Sequence, residues 1–120
     1  MYRKLDKTTK EKAILEHRKM WNWIADNVIQ LKPPTATNIK KLYLQTYNIN
    51  GDLVRNDFMC DYVNNNYNGD CYFCPIRWGA SYFSICGEEE QGIFQYCLDN
   101  MLYKDASYIA KVIAQLPTKE

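Results

Sequence analysis

Thr8–Leu31, TTKEKAILEHRKMWNWIADNVIQL, decides the fold class. Within it Ile14, His17, Trp21, Ile24, Val28 and Leu31 recur at alternating spacings of three and four, which lines them up in one stripe along an α-helix. Thr8 followed by Glu11 fits a capping box at the start. Lys32-Pro33-Pro34 ends the run, because proline lacks an amide donor and pushes its predecessor out of the α region. A helix of about 23 residues is roughly 35 Å long, enough to serve as the spine of a 120-residue chain.

Working outward, Thr35–Asn38 reads as a loop with capping potential. Ile39–Tyr47 is compatible with a helix through Ile39, Leu42, Tyr43 and Thr46, and with a strand through its tyrosines and the Leu42/Leu44 alternation. A short helix is preferred, stopped by Asn48-Ile49-Asn50-Gly51. Leu53–Val63 leads into a cysteine-rich middle, Asn64–Asp70 reads as an exposed turn-rich loop, and Ser81–Ile85 as a lone short strand. Glu88, Glu89 and Glu90 complement the positive end of a helix whose apolar face is Ile93, Phe94, Cys97, Leu98, Met101 and Leu102. Asp105 is placed to cap a last helix, with Ile109, Val112, Ile113 and Leu116 as its stripe and Pro117 as its stop. The expected architecture is mainly α: a long N-terminal helix, a central Cys-rich knuckle with little regular structure, and two C-terminal helices packed on the first. The chain reads as one domain over 1–120, organised as 1–34, 35–87 and 88–120.

Composition narrows the function classes. The net charge of +1 hides an asymmetry: residues 1–41 carry ten basic and four acidic side chains, residues 42–120 five basic and ten acidic. Such a dipolar chain steers an anionic partner toward its N-terminal half, unless the lysines simply solvate a helix face. Ten tyrosines and three tryptophans exceed what a small core holds, so some belong at an interface. The charged start has no apolar run behind it, and no apolar window is long enough to span a bilayer. No membrane association and a cytoplasmic location are therefore expected, where thiols stay reduced.

Four of the five cysteines, Cys60, Cys71, Cys74 and Cys86, form the pattern C-x10-C-x2-C-x11-C. The C-x2-C turn can present two thiolates to one tetrahedral zinc ion, with the outer two closing the cage. A structural zinc site is the leading expectation; small buried hydrophobes and partial disulfides are the alternatives. An odd cysteine count argues against a closed disulfide framework. Cys97 falls on an apolar helical stripe and reads as a core residue.

His17, the only histidine, also lies on an apolar stripe and reads as a core or interface residue. With no phosphate-binding glycine loop, nucleophile elbow or HExxH pattern, the chain is not expected to be an enzyme. Arg18, Lys19 and Trp23 interleave charge and aromatic surface, and Arg77 and Trp78 follow the C-x2-C turn; these five are the candidate binding residues.

LEHRKMWNWIADN (15–27), CPIRWG (74–79) and IAQLP (113–117), in that order, resemble a group of small accessory proteins encoded by bacteriophages and prophages. In that group a further cysteine stands three residues before the position of Cys60, where this chain has Asp57, either a substituted oxygen ligand or a sign that the metal is lost. The resemblance implies a phage accessory role in the host cytoplasm, directed at a host or its defences. The leading expectation is a non-enzymatic protein that engages or inhibits a host defence protein. Nucleic-acid binding through the basic half is the alternative, and capture of a nucleotide-like ligand the next.

Overall fold

A computed structural model of the chain describes residues 10–49, 58–68, 74–77 and 88–118. Five helices are described: α1 (Lys10–Leu31), α2 (Ala36–Thr46), α3 (Phe58–Tyr67), α4 (Glu88–Asp99) and α5 (Tyr103–Ala114). The chain is mainly α, its first helix is long, and its C-terminal helices pack back on the first. The most extensive packing is α5 against α1; α4 lies on α5, and α2 and α3 cover other parts of α1. At 22 residues α1 is roughly 33 Å long, close to the molecule's largest dimension of 39 Å.

The α1 stripe is buried as its periodicity dictates. His17, Trp21, Ile24 and Val28 are fully enclosed, joined by Ala13, Met20 and Ala25. Leu31 departs from the expectation and is exposed, because the stripe runs one turn past its packing partners. Opposite α1, α5 buries Ala106, Ala110, Ile113 and Ala114, while Ile109, Val112 and Leu116 are half-buried. The line of alanines at spacing four lets the two backbones approach, and Ser107 Oγ donates to the Ala25 carbonyl at 2.7 Å across the seam. Arg18 Nη2 donates to the Leu116 carbonyl at 2.9 Å and so satisfies a carbonyl just past the end of α5.

Residues 39–47 resolve in favour of the helix. Ile39, Tyr43 and Leu44 share one buried face, and the hydroxyl of Thr35 accepts from the Asn38 amide at 3.1 Å as N-cap. Two other expectations change. Phe58–Tyr67 is helical, so the middle third has more regular structure than a bare knuckle, and Asn64–Tyr67 belong to α3 rather than to a loop. Phe58, Met59 and Val63 are buried with Tyr62 half-buried beside them, and this packing overrides the poor helix propensity of three asparagines. The last helix begins at Tyr103 after Leu102, with no side-chain cap, so Asp105 sits in the first turn instead of preceding it. Ser81–Ile85 lies outside the described residues, as does Thr8.

α1 to α4 each end on a left-handed residue that is not glycine: Lys32 (φ 46°), Asn48 (φ 53°), Asn68 (φ 54°) and Met101 (φ 57°). After α2 and α4 the closing bonds run Ile49 N–H to Leu44 C=O and Leu102 N–H to Cys97 C=O, both at 2.8 Å. Asparagine tolerates that region; methionine pays about 1–2 kcal/mol for it. Met101 is 73% exposed and loses little packing if shortened. Met101→Gly is therefore expected to raise stability by about 0.5–1 kcal/mol once the extra freedom of glycine in the unfolded chain is counted. A urea midpoint at or below that of the parent would contradict this reading.

Candidate functional site

The aromatic residues on the α1–α2–α3 side form a connected run. Trp23, on α1, is half-buried and meets Tyr43 of α2 edge-on, with ring centroids 5.5 Å apart. Tyr43 is buried; it touches Phe58 of α3 edge-on at 6.4 Å and Tyr47, one turn along α2, at 4.9 Å. Tyr47 is 53% exposed. The run therefore climbs from the core at Phe58, through Tyr43, to the surface at Tyr47 and Trp23. Asn27 Nδ2 donates to the Trp23 carbonyl at 2.8 Å alongside. Rigid aromatics anchored from beneath lose little side-chain entropy when a partner covers them. Sequence reading singled out Trp23 but not Tyr43 and Tyr47; their i, i+4 spacing on a helix was the available signal.

The other candidate binding residues do not gather here. Arg18 points to the α5 end and is occupied by the Leu116 carbonyl. Lys19 is exposed and lies 4.0 Å from the buried Glu16 carboxylate. Arg77 is exposed; its amide donates to the Pro117 carbonyl at 2.8 Å beside an antiparallel bridge between Ile76 and Thr118. Trp78 lies outside the described residues.

Some of the described basic side chains of the N-terminal half serve the fold itself. Lys40 is buried, its ammonium 5.5 Å from the Trp21 ring centroid and donating to Gln91 Oε1 at 2.5 Å. Lys32 stands 5.9 Å from the Tyr103 ring. Arg18 and Lys19 also have partners within the fold.

Of the four thiols proposed to hold zinc, Cys74 is buried at 1% exposure, next to the buried Pro75 and Ile76. Cys60 lies in the first turn of α3, and Cys71 and Cys86 fall outside the described residues, as does Asp57. Among the described residues no three His, Cys, Asp or Glu side chains gather as metal donors. No described helix is long and apolar enough to cross a membrane. His17 is fully buried, as its position on the stripe implied.

Among the described residues, Cys97 and Tyr62 titrate away from their ordinary values. Burial pushes the Cys97 thiol above 9.0, with the nearby Asp105 charge adding to the effect. Burial also raises the Tyr62 phenol above 10.0, followed by Tyr67, a hydrogen bond with it, and Glu11. In both cases the folded state holds the proton more tightly than the unfolded chain. The stability this contributes is complete below the ordinary values and is lost as pH rises through the folded ones. The urea midpoint is expected to fall as pH climbs past 9.0, less steeply in Cys97→Ala. An identical alkaline slope in that variant would show the thiol to be irrelevant.

No family model matches the chain, and no curated protein or solved structure matches it either.

Proposed function

We propose that the chain is a non-enzymatic binding protein of the phage accessory type, which docks on a host protein, a defence component in the leading reading, and blocks it. The observation that supports this is the aromatic run from Phe58 through Tyr43 to Tyr47 and Trp23, whose outer members are partly exposed while their bases are fixed in the core. Aromatic side chains held this way are what interfaces use as anchors. The test places a photo-crosslinking amino acid at Tyr47 and, separately, at the exposed Thr37. Exposed to host lysate, the first is expected to give a discrete adduct with one host polypeptide that the second does not. Equal labelling at both positions would end the proposal.

Nucleic-acid binding ranks lower because Arg18 and Lys40, two of the cations on which it would draw, are taken up inside the fold. Capture of a nucleotide-like ligand ranks lower for the same reason. A structural zinc ion on Cys60, Cys71, Cys74 and Cys86 belongs to the proposal as a staple for the middle of the chain. Elemental analysis is expected to return one zinc per chain, lost in Cys74→Ser; metal-free protein with the same melting point would remove it.

A further inference from the structure

The α4–α5 hairpin carries an outer surface that the aromatic run does not explain. Ile93 (44% exposed), Tyr96 (62%), Met101 (73%), Leu102 (42%) and Tyr108 (68%) stand on it, although periodicity assigns Ile93, Met101 and Leu102 to a buried face. They are exposed because α4 uses Phe94, Cys97 and Leu98 inward, while Met101 and Leu102 lie in the turn. Five large apolar or aromatic side chains on one short hairpin mark an interaction surface.

Gly92 is an independent sign. It sits inside α4, where glycine is the poorest helix former but proline. It is exposed, and a Cβ added there would meet nothing within 4 Å. Internal packing therefore does not require the glycine. A notch in the outer face of a helix is useful to something that approaches from outside.

We propose that the approaching partner is a second copy of this chain, docked hairpin on hairpin about a two-fold axis parallel to α4 and α5. Such an axis lays α4 of one copy on α5 of the other at equal distance from the two turns. Counted from Met101, Tyr108 is seven residues out along α5, while Tyr96 and Gly92 are five and nine out along α4. At the same rise per residue in both helices, Tyr108 of each copy arrives midway between Tyr96 and Gly92 of the other, over the notch. Gly92, Tyr96 and Asp99 share one side of α4 at spacings of four and three, so the notch, the aromatic and the carboxylate all face the same way.

The charges agree with this register. Every charged residue of α4 is acidic; on α5 the exposed Lys104 stands next to the equally exposed Asp105, and Lys111 is turned to α1, where it donates to Asn22 Oδ1 at 2.9 Å. Asp99 is two residues from Met101 and Lys104 three, so each copy's carboxylate meets the other's ammonium at the rim. That one acid–base pair, made twice by a two-fold rotation, is what an isologous dimer requires. Two helices of this length cover roughly 18 Å by 20 Å. That is a small patch beside the ~800 Å² per partner of a standard interface, so the dimer dissociates in the micromolar range.

Sedimentation velocity on the full chain tests this, from micromolar to near-millimolar concentration. The parent is expected to pass from monomer to dimer across that range. Gly92→Arg fills the notch and replaces a poor helix former by a good one. Its melting temperature should hold or rise while its dimer weakens about tenfold or more. Asp99→Lys and Lys104→Asp should each weaken association, and the double exchange should restore it. A parent that stays monomeric throughout, a Gly92→Arg protein that dimerises like the parent, or a double exchange without rescue would each overturn the proposal. None of these outcomes bears on Tyr47, so this test and the host-protein test fail independently.

Discussion

Trp21→Ala is expected to lower the unfolding free energy by about 3–5 kcal/mol, the range for removing a large aromatic from a packed core. Trp21 is fully enclosed, edge-on to Phe94 at 5.4 Å, with the Lys40 ammonium on its ring. One side chain thus joins α1, α2 and α4. Removing it leaves a cavity and strips a buried cation of one of its contacts, so the loss belongs near the top of the range. Small domains have only about 5–15 kcal/mol in hand, and the variant should unfold well below the parent's temperature. The indole Nε1 has no hydrogen-bond partner among the described residues. Trp21→Phe, which keeps a ring and gives up that orphaned donor, should recover a large part of the loss. Equal destabilisation by the two substitutions in urea unfolding would refute this account of the site.

The second large effect is at the seam between α1 and α5. Ala110→Leu is expected to cost about 1–3 kcal/mol by overpacking. Ala106 and Ala110 are fully enclosed and Ala114 nearly so, and the Ser107–Ala25 bond at 2.7 Å holds the two helices at that separation. Leucine and alanine are both good helix formers, so the loss cannot be assigned to propensity. Extra methylenes can be housed only if α5 lifts from α1, which would also stretch the Arg18–Leu116 bond. A variant as stable as the parent would mean that the seam is looser than its alanine row implies.

These alanines also show where reading the sequence falls short. The stripe of α1 was legible because Trp21, Ile24 and Val28 are large and regularly spaced. For α5 the large residues Ile109, Val112, Ile113 and Leu116 drew attention; Ile113 is fully enclosed, but the other three are half-buried and the rest of the innermost line is alanine. Periodicity weighted by size marks the edge of a close seam instead of its centre. α3 was hidden by its asparagines, whose side chains take up local bonds that support the helix: Asn66 Nδ2 to the Tyr62 carbonyl at 2.9 Å and Asn65 Nδ2 to Asp61 Oδ2 at 3.2 Å. The candidate site was half legible. Trp23 stood out by composition, but its neighbours on α2 became visible only when the helices were set side by side. The charge count was incomplete for a related reason, since sequence counts lysines without showing that Lys40 is buried against a ring and an amide.

The dominance of the α1–α5 seam has a consequence for how the chain is made. Roughly 70 residues separate the end of α1 from the start of α5. On the ribosome the side of α1 that α5 covers, with Ala25 on it, must therefore wait until most of the remaining chain has emerged, and Trp21 waits for Phe94 of α4. Fold closure of this kind, first helix against last, is slow to nucleate and leaves a greasy surface open to chaperones and to neighbouring nascent chains. Truncations that stop short of α5 should be found in inclusion bodies, not as smaller soluble domains.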